Sequence, residues 1–137
     1  MRFIIPSTDF NFAIPDDWWS FAEMQDFRPQ AASYRLPIAA FSDHVDIEIV
    51  QISEIAPPLE RVMTAPGLAK ARIVPILLAL RADREMPPVQ IERIQHHGYK
   101  FQLVHGFHRY CASIAAGFPA IPGVFHEISW CRPDRVR

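Results

Sequence analysis

From Val45 the chain reads VDIEIVQI, and apolar and polar residues alternate over its first five positions, the period of a half-buried strand. Pro57-Pro58 closes that strand. In ARIVPILLALRAD the apolar positions recur at three and four residues, which predicts a helix with Arg81, Asp83 and Arg84 marking its end. Proline has no N–H to bond four residues back, so Pro75 places the regular start near Ala71 or Arg72. Pro87-Pro88 opens a second strand, VQIERI. A short HHG turn then leads into a third, YKFQLV, with Tyr99, Phe101 and Leu103 on one face, so the pair predicts a hairpin. After Gly106 a run of small and apolar residues, YCASIAA, reads as a tightly packed helix ended by Gly117 as a left-handed cap. The stretch Ile121 to Ile128 predicts a last strand.

Residues 1–44 read as an elaboration packed on a core of 45–130, with a basic tail over 131–137. Pro15-Asp16-Asp17 marks a helix start before WWSFAEM, where carboxylates favour the exposed N–H groups. Trp18 and Trp19 diverge by about 100° on a helix, so at most one can be central to a packing face. The other aromatic surface suits a protein partner or self-association.

Composition narrows the class. A chain of 137 residues, 50% hydrophobic and 21% charged, is one soluble domain able to bury its own core. The longest apolar run, Ile73 to Leu80, is too short to cross a bilayer, and MRFIIPSTDF lacks a secretory h-region, so no membrane partner and a cytoplasmic location are expected. Cys111 and Cys131 have no metal-ligand or C-x-x-C spacing. The net charge is −1, yet acids dominate residues 1–48 and bases dominate 49–137. Of the fourteen basic residues all but Lys70 and Lys100 are arginine, which favours bidentate anion contacts in the C-terminal half. His96, His97, His105 and His108 invite a metal reading, but the first pair lies at the hairpin tip and the second at the far end of the strand, roughly 25 Å away at ~3.3 Å per residue. No metal site is expected.

The chemistry concentrates at 105–109. A strand turning through Gly106 into a helix that begins near Phe107 or His108 presents unpaired backbone N–H groups, and such an end attracts anions. Glycine allows close approach, His108 can donate a hydrogen bond and Arg109 offers a fixed cationic fork. The alternative is that His108 and Arg109 only cap the helix and pair with a carboxylate.

The context of that motif resembles the ParB/sulfiredoxin superfamily, most closely in IVPILLALRADREMPPVQI and YKFQLVHGFHRYCASIAAGFPAIPGV. The resemblance implies an α+β fold, a small mixed β-sheet with packed helices, and a turn that takes nucleotide phosphates. It carries phosphate or cofactor binding to Gly106, Phe107, His108 and Arg109, with Arg72 near a basic helix residue that sulfiredoxins use. ATP or CTP with Mg²⁺ is the expected ligand. Sulfiredoxins carry their reactive cysteine where this chain has Phe107, so sulfinic acid repair is not expected. Serine kinases of the group place an acid where His105 stands and a catalytic glutamate before the first core helix. Glu60 is its counterpart here, with Glu54 behind it. Partition proteins have arginine at the position of His108 and a downstream helix-turn-helix domain, so operator reading of that kind is not expected. The resemblance therefore implies a nucleotide-binding protein, with phosphoryl transfer or nucleoside triphosphate hydrolysis as its chemistry. A non-catalytic nucleotide sensor is the alternative, as is a DNA-associated, nuclease-like accessory factor using Arg132, Arg135 and Arg137.

Overall fold

The computed structural model describes residues 1–37, 46–62, 67–96 and 98–125. Their elements run β1 (Arg2–Ile4), β2 (Asn11–Ala13), α1 (Asp16–Phe21), β3 (Ile47–Gln51), β4 (Ile55–Ala56), α2 (Leu59–Val62), α3 (Lys70–Arg81), β5 (Val89–His96), β6 (Tyr99–His105), α4 (Phe107–Ala116) and β7 (Ala120–Phe125). A single 3-10 turn at Ile52–Glu54 separates β3 from β4. This is an α+β fold with a mixed sheet. No helix among the described residues is long and apolar enough to cross a membrane. The tail arginines 132, 135 and 137, and the part of the last strand expected beyond Phe125, lie outside the described residues.

Five strands form the main sheet in the order β3-β7-β5-β6-β4. The β5–β6 and β3–β7 pairs are antiparallel, whereas β5–β7 and β4–β6 are parallel. The last pairing positions the site. Ile55 and Ala56 lie beside Phe101 and Gln102 and run in the same direction. Whatever follows β4 therefore emerges at the end of the sheet where β6 turns into α4.

The hairpin and the left-handed cap at Gly117 form where the sequence predicts them, with Gly117 at φ 97°; Gly106, at φ 108°, is left-handed as well. Helix α4 is buried on most sides, through Phe107, His108, Tyr110, Cys111, Ala112, Ser113 and Ala116. Its alanines let it sit close to α3, which contributes Ile73, Val74, Leu77 and Leu80 to the same core. Two local expectations need correction. Helix α3 begins at Lys70, so Pro75 falls in the second turn, not the first. The carbonyl left without its helical donor is that of Ala71, an exposed residue. In β3 the expected apolar face is not the buried one, because Ile49 is 51% exposed while Val50 is 3% exposed. β3 is an edge strand, and it packs inward through Val50 and the following Ile52.

The N-terminal segment docks on this core. Trp19 is buried and Trp18 half-buried, as their angular separation requires. Asp16 binds the N-terminal ammonium at 2.7 Å. Tyr34 is 5% exposed, and its hydroxyl donates to the Pro87 carbonyl at 2.7 Å.

Burial pushes the Cys111 thiol well above its ordinary 9.0, and the Tyr34 and Tyr110 phenols well above 10.0. The folded protein holds these protons where the unfolded chain releases them, so their contribution is fully present below about pH 9 and lost as pH rises further. Each group costs about 1.4 kcal/mol per pH unit beyond its unfolded value. By pH 11 the three together remove on the order of 6 kcal/mol, comparable to the whole stability of a small domain. Urea denaturation at pH 7.5, 9 and 10.5 should therefore show a flat midpoint followed by a steep fall. A midpoint unchanged at 10.5 would contradict this assignment.

Candidate functional site

The turn from β6 into α4 forms one wall of a cavity of about 170 Å³. Leu103 to His108 supply that wall, Pro58 and the Arg61 of α2 close it, and Arg72 reaches it from the first turn of α3. Four sequence-derived residues thus meet here: Gly106, Phe107, His108 and Arg72. Arg61 and His105 join them.

Each is held by an identifiable contact. The Arg61 guanidinium carbon lies 4.3 Å from the centroid of the Phe107 ring, a cation–π arrangement that fixes the charge at the cavity mouth. The same ring meets the His108 imidazole edge to face at 5.8 Å. Phe107, which stands where the family resemblance has a cysteine, is thus a platform for both basic groups. His108 is 5% exposed, and its Nε2 accepts a 3.0 Å hydrogen bond from the backbone N–H of Ala69, the residue that precedes α3. An accepting Nε2 leaves the ring proton on Nδ1, a neutral imidazole. Burial, then Arg72 and Arg61, holds its pKa below the ordinary 6.5.

The local electrostatics follow from this geometry. Neither Arg61 nor Arg72 has a carboxylate partner among the described residues. The first amides of α4 add to the positive field, since the helix's own bonding begins with Tyr110 N–H to the Gly106 carbonyl at 2.8 Å. The cavity therefore presents two guanidinium groups, a neutral imidazole and a helix N-terminus to one small volume. Its complement is an oxyanion.

Arg109, expected beside His108, turns away from this cavity. Its Nη1 donates to the Pro87 carbonyl at 3.2 Å, the oxygen that also accepts from Tyr34. Consecutive helical residues diverge by about 100°, so with His108 facing the cavity its successor points along the sheet toward β5. Arg109 and Tyr34 thus share the Pro87 carbonyl. Glu60 is exposed on α2, next to Arg61, but is not part of the cavity wall. Glu54 is paired with Lys100 at 3.1 Å. Cys111 is fully buried, and its raised pKa opposes thiolate chemistry. His105 and His108 both border the cavity.

Fold and site together define a small α+β domain with a cationic pocket at a strand-to-helix turn. A search of solved structures finds sulfiredoxin from Arabidopsis thaliana, similar at 20% identity with a TM-score of 0.47, over 58% of this chain and 83% of that one. The likeness is one of layout, and no residue role follows from it. No protein-family description matches the chain, and no curated protein matches it.

Proposed function

We propose that this protein binds the phosphates of a nucleotide, ATP or CTP, at the cavity between α2, the start of α3 and the start of α4. The observation that carries the reading is the pair of guanidinium groups, Arg61 and Arg72, facing one cavity without carboxylate partners among the described residues. Such charges gain little from water-screened protein contacts and much from a phosphate that accepts several charge-assisted hydrogen bonds. Size adds a constraint. A volume of about 170 Å³ is well under the ~300 Å³ at which whole-ligand pockets begin, so it suits one or two phosphoryl groups with the nucleoside outside. Any Mg²⁺ arrives with the phosphates and keeps its waters, since the described residues contain no cluster of three or more carboxylate, histidine or cysteine ligands.

The arrangement supports binding more directly than turnover. Phosphoryl transfer needs positioning, charge stabilisation and a group that orients the nucleophile. Arg61, Arg72 and the α4 amides supply the first two. Glu60 supplies the third only if a bound ligand extends past Arg61 toward it, so a nucleotide-sensing module is the simpler form of the proposal. The exposed Ile4, Phe10 and Phe21 of the N-terminal segment are then the surface through which occupancy reaches a partner or a second copy.

Calorimetric titration with ATP, CTP and inorganic pyrophosphate tests the reading. Binding of pyrophosphate and at least one nucleotide is expected. No heat from any of the three at millimolar concentration would overturn it. Phosphate release from Mg-ATP, compared between the wild type and Glu60→Gln, separates enzyme from sensor.

A further inference from the structure

A second cavity lies on another side of the molecule, between the 26–35 segment and the C-terminal end of α3, with a volume of about 470 Å³. That is within the range of pockets that enclose a small organic ligand. Its floor is apolar and aromatic. Phe27 and Phe118 meet there with ring centroids 6.1 Å apart, and Leu80 and the Tyr34 ring are buried beneath them.

The rim is cationic. Arg28 comes from one wall, and Arg81 and Arg84 from the other. None of these three has a carboxylate partner among the described residues. Arg81 is held in place by its Nε–H, which donates to the Glu23 carbonyl at 3.0 Å, and Arg28 by a 2.7 Å bond from Nη1 to the Phe27 carbonyl. Arg35 differs, being engaged with Asp83 and Glu85. The negative end of α3 accounts for arginines near its last turn. It does not account for Arg28 on the facing wall, nor for an aromatic floor between them.

The wall is fixed before any ligand arrives. Met86 N–H donates to the Arg35 carbonyl at 2.9 Å, Ala120 N–H donates to the Ala32 carbonyl at 3.1 Å, and Tyr34 is tied to Pro87. A preformed pocket loses little conformational entropy on binding.

We propose that this cavity is a binding site for a small carboxylate with a flat apolar body. The aromatic floor takes the body, and a guanidinium fork takes the planar carboxylate. Asp26 and Asp83 also border the cavity and offset part of its positive charge, which suits a singly charged anion better than a phosphate ester. The site is separate from the phosphate cavity and does not depend on it.

The test is ligand-detected NMR on the whole chain with 2-naphthoate as probe. A Kd on the order of 1 mM or tighter is expected for a probe of this size. Uncharged 2-naphthamide should bind at least about tenfold more weakly, the value of one charge-assisted hydrogen bond. Arg28→Ala/Arg84→Ala should weaken 2-naphthoate by tenfold or more. Both residues are exposed, so this variant should fold normally. Ala31→Trp, at the cavity border, should block the probe while leaving every charge in place. Arg61→Ala should leave it unchanged. The proposal is overturned by absence of binding at 10 mM, by equal binding of the amide, or by unaltered affinity in the double arginine variant.

Discussion

Arg61→Ala/Arg72→Ala should lose pyrophosphate binding by at least about 100-fold, while its melting temperature stays close to that of the wild type. Each guanidinium contributes charge-assisted hydrogen bonds of about 1.5 to 3 kcal/mol, so two missing partners cost about 3 kcal/mol or more, which is upwards of about 100-fold. Either single variant should lose about tenfold. Stability should change little because both side chains are exposed. Removing Arg61 forfeits a cation–π contact of about 0.5 to 1 kcal/mol. Arg109→Ala is the informative contrast. Its guanidinium donates to the Pro87 carbonyl, so its loss should lower stability by about 1 kcal/mol while pyrophosphate affinity falls less than threefold. If Arg109→Ala abolished binding and the Arg61/Arg72 variant did not, the cavity would have been assigned to the wrong cations.

Gly106→Ala should be the most destabilising single-atom change near the site. A β-carbon at this position would lie 2.6 Å from Val89 Cγ1 and 2.9 Å from Val89 Cβ, and φ is 108°. Backbone strain at such an angle costs about 1 to 3 kcal/mol, and overpacking a core contact adds about 1 to 3 kcal/mol. For a domain of this size the melting temperature should fall by roughly 10 to 20 °C. The companion Val89→Ala/Gly106→Ala tests the cause, because shortening Val89 removes the closer contact, that to Cγ1, and should recover part of the loss, while the contact to Cβ, the strain and a cavity cost stay. A loss below 1 kcal/mol in Gly106→Ala would mean the turn accommodates a side chain and is not held against β5 as described.

The parts of this fold that depend on neighbours in sequence were readable from it. The β5–β6 hairpin, the glycine cap at the end of α4 and the amide-rich turn at 106–108 follow from period and turn chemistry alone. What escaped depends on pairing between distant segments. Arg61 reaches the cavity because β4, a strand of two residues, runs parallel to β6 about 45 residues later. A strand so short has no legible period, and a parallel pairing leaves no turn signature. Arg109 lies outside the cavity wall for a local reason. Once His108 faces inward, helical geometry carries the next side chain about 100° away, the same argument that separates Trp18 from Trp19. The surplus of arginine in the second half was visible, but which arginines converge was settled by topology. Likewise Ile49 is on the outer face of an edge strand, a position that alternation cannot distinguish from the inner one.

One anion lying among Arg61, Arg72 and His108 would be reported by the imidazole itself. Its pKa is held low by burial and by the two guanidinium groups. An anion between them offsets the repulsion and favours the protonated ring. Following the His108 ring resonances by NMR from pH 4 to 8, with and without saturating pyrophosphate, should show a pKa below 6.5 in the free protein and a clear rise in the complex. A titration curve for His108 that is unmoved by pyrophosphate, while other resonances shift, would place the anion elsewhere and contradict the site.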